Sequence, residues 1–179
     1  MSPDEFRWYP RIIAATCRFY SNCVYVEIGT GRGITIKEIA PACAEVHGVD
    51  VRPPSEVDMP DGARYWHMSS DDFFRTYDGS PPHVIFVDGD HSYEQAKRDF
   101  ENALELLRGA GIVFLHDTWP RDEQDATTEF SGTVWRLAEE IAATPELESF
   151  TWPAFPGLTA VRRRGEGMGR GHLRESAAS

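Results

Sequence analysis

Val24-Tyr-Val-Glu-Ile-Gly-Thr-Gly-Arg-Gly33 decides how this chain is built. Val24 to Ile28 is rich in β-branched residues and predicts a short buried strand, stopped by glycines that predict a tight turn. Ile34 to Ala40 then returns to helical spacing until Pro41 breaks it. Strand, turn and helix in that order make the opening of a βαβ unit. Gly29 and Gly31 are expected to adopt positive φ and let a ligand approach the backbone, while Gly33 is expected to let the helix pack near the strand.

The same grammar recurs outward from this turn. Glu45 to Val49, Arg64 to Met68, Val84 to Val87 and Ile112 to Leu115 read as further strands, each followed by polar residues. Tyr93 to Leu107 places Ala96, Phe100, Ala103, Leu104 and Leu107 on one helical face, and Thr133 to Ala143 predicts another helix. Asp4 to Tyr20 repeats apolar residues at helical spacing and predicts an amphipathic helix ahead of the first strand. Asp117 to Phe130 is expected to be a long loop, and Leu147 to Trp152 with Leu158 to Val161 an antiparallel hairpin. The fold class that follows is α/β: a Rossmann-like, doubly wound, mainly parallel seven-stranded sheet with an antiparallel C-terminal hairpin and helices on both faces. One domain is expected over 1–162, its N-terminal helix within 1–22, and the Gly, Arg and Ser-rich stretch 163–179 is expected to be a disordered tail.

Composition limits the partners. Acids outnumber bases 29 to 18, for a net charge of -11, which argues against a grip on nucleic acid or anionic membrane and favours a small-molecule acceptor. Asp4 and Glu5 stand where a secretory leader would carry basic residues, and no apolar run reaches the roughly 20 residues of a membrane span, so a cytoplasmic location is expected. Cys17, Cys23 and Cys43 lack metal-ligand spacing in sequence and are expected as plain reduced thiols.

In an open α/β sheet, ligands bind beyond the carboxyl ends of the strands where strand order reverses. Gly29, Thr30, Gly31 and Gly33 occupy that turn. Asp50 ends the next predicted strand with Val51 beside it, where a carboxylate can accept hydrogen bonds from both ribose hydroxyls of an adenosine. A dinucleotide would use the same two devices. Glu27 separates the readings, because a carboxylate just before the glycines repels a pyrophosphate and suits a cationic sulfonium with an ammonium group.

Val26-Glu-Ile-Gly-Thr-Gly-Arg-Gly33 resembles the first motif of class I S-adenosylmethionine-dependent methyltransferases, and Val49-Asp50 resembles their ribose-binding acid. Phe86-Val-Asp-Gly-Asp-His-Ser-Tyr-Glu94 and Gly109-Ala-Gly-Ile-Val-Phe-Leu-His-Asp-Thr118 extend the resemblance to small bacterial O-methyltransferases. These include the macrocin and sugar group and, more distantly, the catechol and caffeoyl-coenzyme A enzymes. The resemblance covers Val24 to Val161 and implies S-adenosylmethionine as cofactor. It also implies that Ser69, Ser70 and Asp71 approach the adenine, although a serine there also suits a helix N-cap.

Asp88, Asp90 and His91 follow the fourth predicted strand, and His116 and Asp117 the fifth, so neighbouring parallel strands bring them to one rim. In the metal-dependent enzymes that the chain resembles, the positions of Asp88, His116 and Asp117 hold a divalent cation. That ion is expected to be Mg²⁺ or another divalent cation: Mg²⁺ prefers oxygen ligands, whereas imidazole at position 116 favours Mn²⁺, Fe²⁺ or Zn²⁺. A hydroxyl is a poor nucleophile until its proton is removed, which makes Asp88, His91 and His116 the candidate catalytic groups. Asp90 and Ser92 equally suit capping of the Tyr93 helix. Trp119, Phe130, Trp135, Trp152 and Phe155 are candidates for an apolar acceptor pocket, with Trp135 expected in the core, and the N-terminal helix, the Asp117 to Phe130 loop or the second subunit of a homodimer is expected to close the site. The competing readings are a metal-free N- or C-methyltransferase with a histidine base, a dinucleotide-binding module, and a regulatory protein that keeps the cofactor without catalysis.

Overall fold

The computed structural model describes residues 8–127 and 131–165. Within them lie α1 (Tyr9–Cys17), β1 (Val24–Ile28), α2 (Ile34–Ile39), β2 (Glu45–Asp50), β3 (Arg64–His67), α3 (Ser70–Thr76), β4 (Val84–Val87), α4 (Tyr93–Leu106), β5 (Ile112–His116), α5 (Val134–Ala142), β6 (Leu147–Trp152) and β7 (Leu158–Arg163). The seven strands form one sheet in the order β3-β2-β1-β4-β5-β7-β6. The first five run parallel, and β7 pairs antiparallel with both β5 and β6. Chain order reverses between β1 and β4, so a crevice opens at their carboxyl ends.

Two cores follow from the two-residue period of strands. Val26, Ile28, Ile85, Val87, Val113 and Leu115 face α3, α4 and α5. Tyr25, Val84, Phe86 and Phe114 face the opposite way, against the buried residues of α1 and α2. All five residues of β1 are buried, as a central parallel strand requires.

Element ends moved for local reasons. The expected helix from Asp4 to Tyr20 is observed from Tyr9 because Pro10, lacking an N–H, sits in its first turn; Asp4 to Arg7 fall outside the described residues. α2 stops at Ile39, and Pro41 continues the chain as a 3-10 turn over Ala40–Ala42. β7 outruns the expected Val161 and takes in Arg163, the first residue of the expected tail. Arg162 pairs with Glu148, and the Arg164 guanidinium donates to the Pro145 and Leu147 carbonyls, which draws this stretch into the hairpin. The rest of the expected tail, from residue 166, lies outside the described residues, as does Phe130. Among the described residues no helix is long and apolar enough to cross a membrane.

Candidate functional site

β1 and β2 end side by side, and their ends are laced together. The N–H groups of Gly29 and Thr30 both donate to the Val49 carbonyl, at 2.8 and 3.1 Å, which turns the chain sharply over the end of β2. Asp50 then spans the turn. One carboxylate oxygen accepts from Gly31 N–H at 2.7 Å and the other from Arg52 N–H at 2.9 Å. Each oxygen keeps a lone pair for a further donor.

Two of the glycines are demanded by geometry. Gly29 has φ of 86°, and a Cβ on it would overlap the Asp88 carbonyl, so the turn lies directly against the end of β4. Gly33 has φ of 85°, but its close neighbour is the Asp58 backbone of the loop after β2. The expected approach of the helix to the strand is therefore not what Gly33 allows; Asp58 N–H donating to the Arg32 carbonyl brings that loop in.

A cleft of about 700 Å³ opens beyond Gly29, Gly31 and Asp50. Val51, Ser69, Ser70, Asp71 and Asp88 complete its predicted lining, and Gly33 borders neither this cleft nor its neighbour. Ser69 is also the N-cap of α3, accepting from Asp72 N–H at 3.1 Å. Ser69→Ala should therefore cost about 1 kcal/mol of stability, measurable by denaturant unfolding.

Sequence reading missed the floor of this cleft. Gln95 donates to Ser70, Asp71 and Asp99, which ties α4 to the start of α3. Asp99 is 1% exposed, and burial raises its carboxyl above the usual range. A signal was present: Asp99 interrupts the apolar stripe of Ala96, Phe100 and Ala103, where a carboxylate is costly without partners.

A second cavity of about 420 Å³ adjoins the first and shares Gly29, Gly31 and Asp88 with it. Its walls include Glu27, Thr30, His91, His116, Asp117 and Ser131. Glu27 is buried and accepts from the Tyr25 hydroxyl at 2.6 Å. His116 Nδ1 lies 2.9 Å from Asp88 and 3.2 Å from Asp117, and His91 Nε2 lies 3.3 Å from the same Asp117 carboxylate. The predicted rim cluster is thus assembled in one place.

His116 is the unusual member. Both ring nitrogens are buried without a hydrogen bond of acceptable direction, so the two carboxylates stand near Nδ1 but out of line with it. Burial pushes this imidazole's pKa down, yet Asp88 and Asp117 outweigh burial and hold it well above its ordinary value. Burial would raise the Asp117 carboxyl, but His116 holds it below the usual range. Asp117 also adopts φ of 58°, rare for a residue other than glycine, and accepts from the Ser131 hydroxyl at 3.2 Å. Side-chain atoms of Asp88, His116 and Asp117 lie within 4.8 Å of one another, an arrangement able to ligate a cation. Tyr9 of α1 packs on the His116 ring, with centroids 4.3 Å apart.

Asp90 and Ser92 serve as caps, accepting from Ser92 N–H and Gln95 N–H. That role leaves His91 facing the cavity. Its backbone is fixed from beyond the long loop, where Thr133 N–H donates to the His91 carbonyl and a Cβ on Gly132 would overlap it. Of the described aromatics expected in an acceptor pocket, Phe155 alone lines the cavity. Trp152 packs on Phe114 and Phe150, Trp119 is 48% exposed, and Trp135 lies on α5 away from both cavities, half-buried and outside the core in which it was expected.

A mainly parallel seven-stranded sheet reversing at β1, with β7 inserted antiparallel between β5 and β6 and a glycine turn and carboxylate at its crevice, has the architecture of the class I S-adenosylmethionine-dependent methyltransferases. The sequence profile of a methyltransferase domain family matches residues 26–118, over half of the chain, and the chain belongs to that family. Among solved structures, the O-methyltransferase of Bacillus cereus, in complex with S-adenosylhomocysteine, is 16% identical with a TM-score of 0.68, over 92% of this chain and 82% of that one. TomG of Streptomyces achromogenes, an O-methyltransferase of tomaymycin synthesis solved with S-adenosylmethionine, is 17% identical with a TM-score of 0.63, over 92% and 82%. MycE of the mycinamycin biosynthetic pathway, in complex with Mg and S-adenosylhomocysteine, is 18% identical with a TM-score of 0.65, over 90% of this chain and 51% of that one. These identities speak to the fold. No match was found among curated proteins.

Proposed function

We propose that this methyltransferase transfers the methyl group of S-adenosylmethionine to a hydroxyl oxygen of a small molecule, a sugar or natural-product phenol, with help from a divalent cation. The observation that carries the reading is the passage from the Asp50 cleft, past Gly29 and Asp88, into a cavity walled by Glu27, His91, His116 and Asp117. Adenosine fits the first compartment, with Asp50 accepting from its ribose hydroxyls. The sulfonium and ammonium groups fit the second, where the charge of Glu27 and Asp88 favours cations. O-methyltransferases of the same fold solved with S-adenosylhomocysteine or S-adenosylmethionine support the choice of cofactor.

Asp88, His116 and Asp117 would hold the cation, since the out-of-line nitrogens of His116 and two nearby carboxylates form a mixed nitrogen and oxygen donor set. Such a set suits Mn²⁺, Fe²⁺ or Zn²⁺ and accepts Mg²⁺ less readily. A bound divalent cation would supply Lewis acidity that lowers the pKa of the acceptor hydroxyl. His91, partly exposed on the cavity wall, accepts the hydroxyl proton on its imidazole, and the Asp117 carboxylate 3.3 Å from its Nε2 stabilises the resulting imidazolium. The carbon to sulfur bond of the cofactor breaks as the oxygen to carbon bond forms, and S-adenosylhomocysteine leaves neutral at sulfur.

The test supplies labelled S-adenosylmethionine with catechol-type phenols and sugar-bearing natural products, with and without chelator, and locates the methyl group by mass spectrometry. Chelator-sensitive O-methyl product is expected; failure to bind the cofactor or to methylate any hydroxyl would sink the reading. Asp117→Asn should weaken divalent-cation binding by roughly 10–100-fold while leaving S-adenosylhomocysteine affinity nearly unchanged, both read by calorimetry. A second reading, metal-free N- or C-methylation, draws on the 2.9 Å approach of His116 to Asp88, because a protonated imidazole beside that carboxylate would take the place of the cation's charge.

A further inference from the structure

The thiols sit at the far end of β1 from the cofactor cleft. Cys17 ends α1, Cys23 immediately precedes β1, and Cys43 follows the turn after α2. These are the only three cysteines in the chain, and their Sγ atoms all lie within 4.8 Å of one another. Sequence spacing gave no sign of this, since the three arrive from separate elements. The convergence is held by backbone: Ala44 and Glu45 N–H both donate to the Cys23 carbonyl, at 2.8 and 3.2 Å.

We propose that Cys17, Cys23 and Cys43 form a three-coordinate thiolate site for a soft monovalent cation of the Cu(I) type, separate from the methyl-transfer site. Three features select that ion class. The donors are all sulfur, which disfavours Mg²⁺ and Ca²⁺. Among the described residues no fourth His, Cys, Asp or Glu joins the group, so a structural Zn²⁺ site would lack its fourth protein ligand. Cys17 and Cys23 are buried while Cys43 is half-exposed, which gives the ion one side of entry.

Convergence of the sulfurs suits ligation. The Cys43 thiol donates to the Ile39 carbonyl at 3.6 Å, which anchors it at the end of α2 beside the other two sulfurs. Each thiol that ligates a soft cation as thiolate releases its proton to solvent. Binding would tie α1, β1 and the end of α2 together. It would thereby stabilise the helix that carries Tyr9 onto His116.

The test titrates the untagged, reduced chain with Cu(I) under anaerobic conditions against a chromophoric Cu(I) chelator. The wild type should retain about one ion per chain, and Cys43→Ser should lose more than about tenfold in affinity, since removing a ligand exceeds most outer-shell changes. Unaltered S-adenosylhomocysteine binding at the other end of the sheet certifies that the variant is folded. Copper-edge X-ray absorption on the wild type should show sulfur neighbours alone and needs no variant. Uptake that survives Cys43→Ser and Cys17→Ser alike, nitrogen or oxygen neighbours at the copper, or loss of the ion to the chelator as readily from wild type as from variant would each overturn the proposal.

Discussion

Gly29→Ala should lower the free energy of unfolding by about 2–5 kcal/mol, read by denaturant titration. Two costs combine. A left-handed φ of 86° costs alanine about 1–2 kcal/mol. The new Cβ also meets the Asp88 carbonyl and Gly89 Cα, which are backbone atoms and cannot rotate away. Asp88 N–H is bonded to the Ile28 carbonyl at 2.8 Å and Gly29 N–H to Val49, so relief means parting the ends of β1, β2 and β4. Such overpacking costs about 1–3 kcal/mol. Gly31→Ala is the internal control, because its φ of 59° carries a similar backbone cost while nothing lies within 4 Å of the added carbon. The control should lose only about 1–2 kcal/mol. Equal losses in the two variants would mean that the turn does not rest on β4, and the shared wall of the two cavities would go with it.

Asp50→Ala should weaken S-adenosylhomocysteine binding by about 2–4 kcal/mol, roughly 30- to 1000-fold, by calorimetry. The carboxylate is held at both oxygens by Gly31 and Arg52 N–H groups, so it meets a ribose without first having to be ordered. Hydrogen bonds from two ribose hydroxyls to it would be charge-assisted, about 1.5–3 kcal/mol each before losses. Asp50→Asn separates charge from shape: it fills the same space but turns one amide nitrogen toward an N–H or a hydroxyl. A comparable loss is expected from it. Testing NAD alongside addresses the dinucleotide alternative, since the Glu27 carboxylate buried in the adjoining cavity opposes a pyrophosphate. Unchanged S-adenosylhomocysteine affinity in Asp50→Ala would remove the cofactor assignment along with the acceptor chemistry built upon it.

Much of the site was legible because it rests on local pattern. Val24 to Ile28, Val84 to Val87 and Ile112 to Leu115 announce themselves as buried parallel strands, and residues that follow such strands gather on one rim whatever the loops do. That geometry delivered Asp50, Asp88, His91, His116 and Asp117 to adjoining cavities. Gly33 misled because a positive-φ glycine can be required by any close backbone, and the Asp58 loop that requires it carries no pattern of its own. Phe155 reached the cavity and Trp152 did not, because proximity along a hairpin does not say which face a ring takes. Asp99 was overlooked although its place in the apolar stripe of α4 marked it.

Periodicity, glycine placement and the order of strands and helices determined the sheet, its winding and the carboxyl-end crevice, because each of these depends on residues near one another in the chain. Only the tertiary structure decided that two carboxylates flank the nitrogen of His116 out of line, that Gln95 floors the Asp50 cleft, and that Cys17, Cys23 and Cys43 meet. Those facts depend on how separate elements cross within a few ångströms of one another. Side-chain packing across the sheet sets such crossings, and no single stretch of sequence carries them.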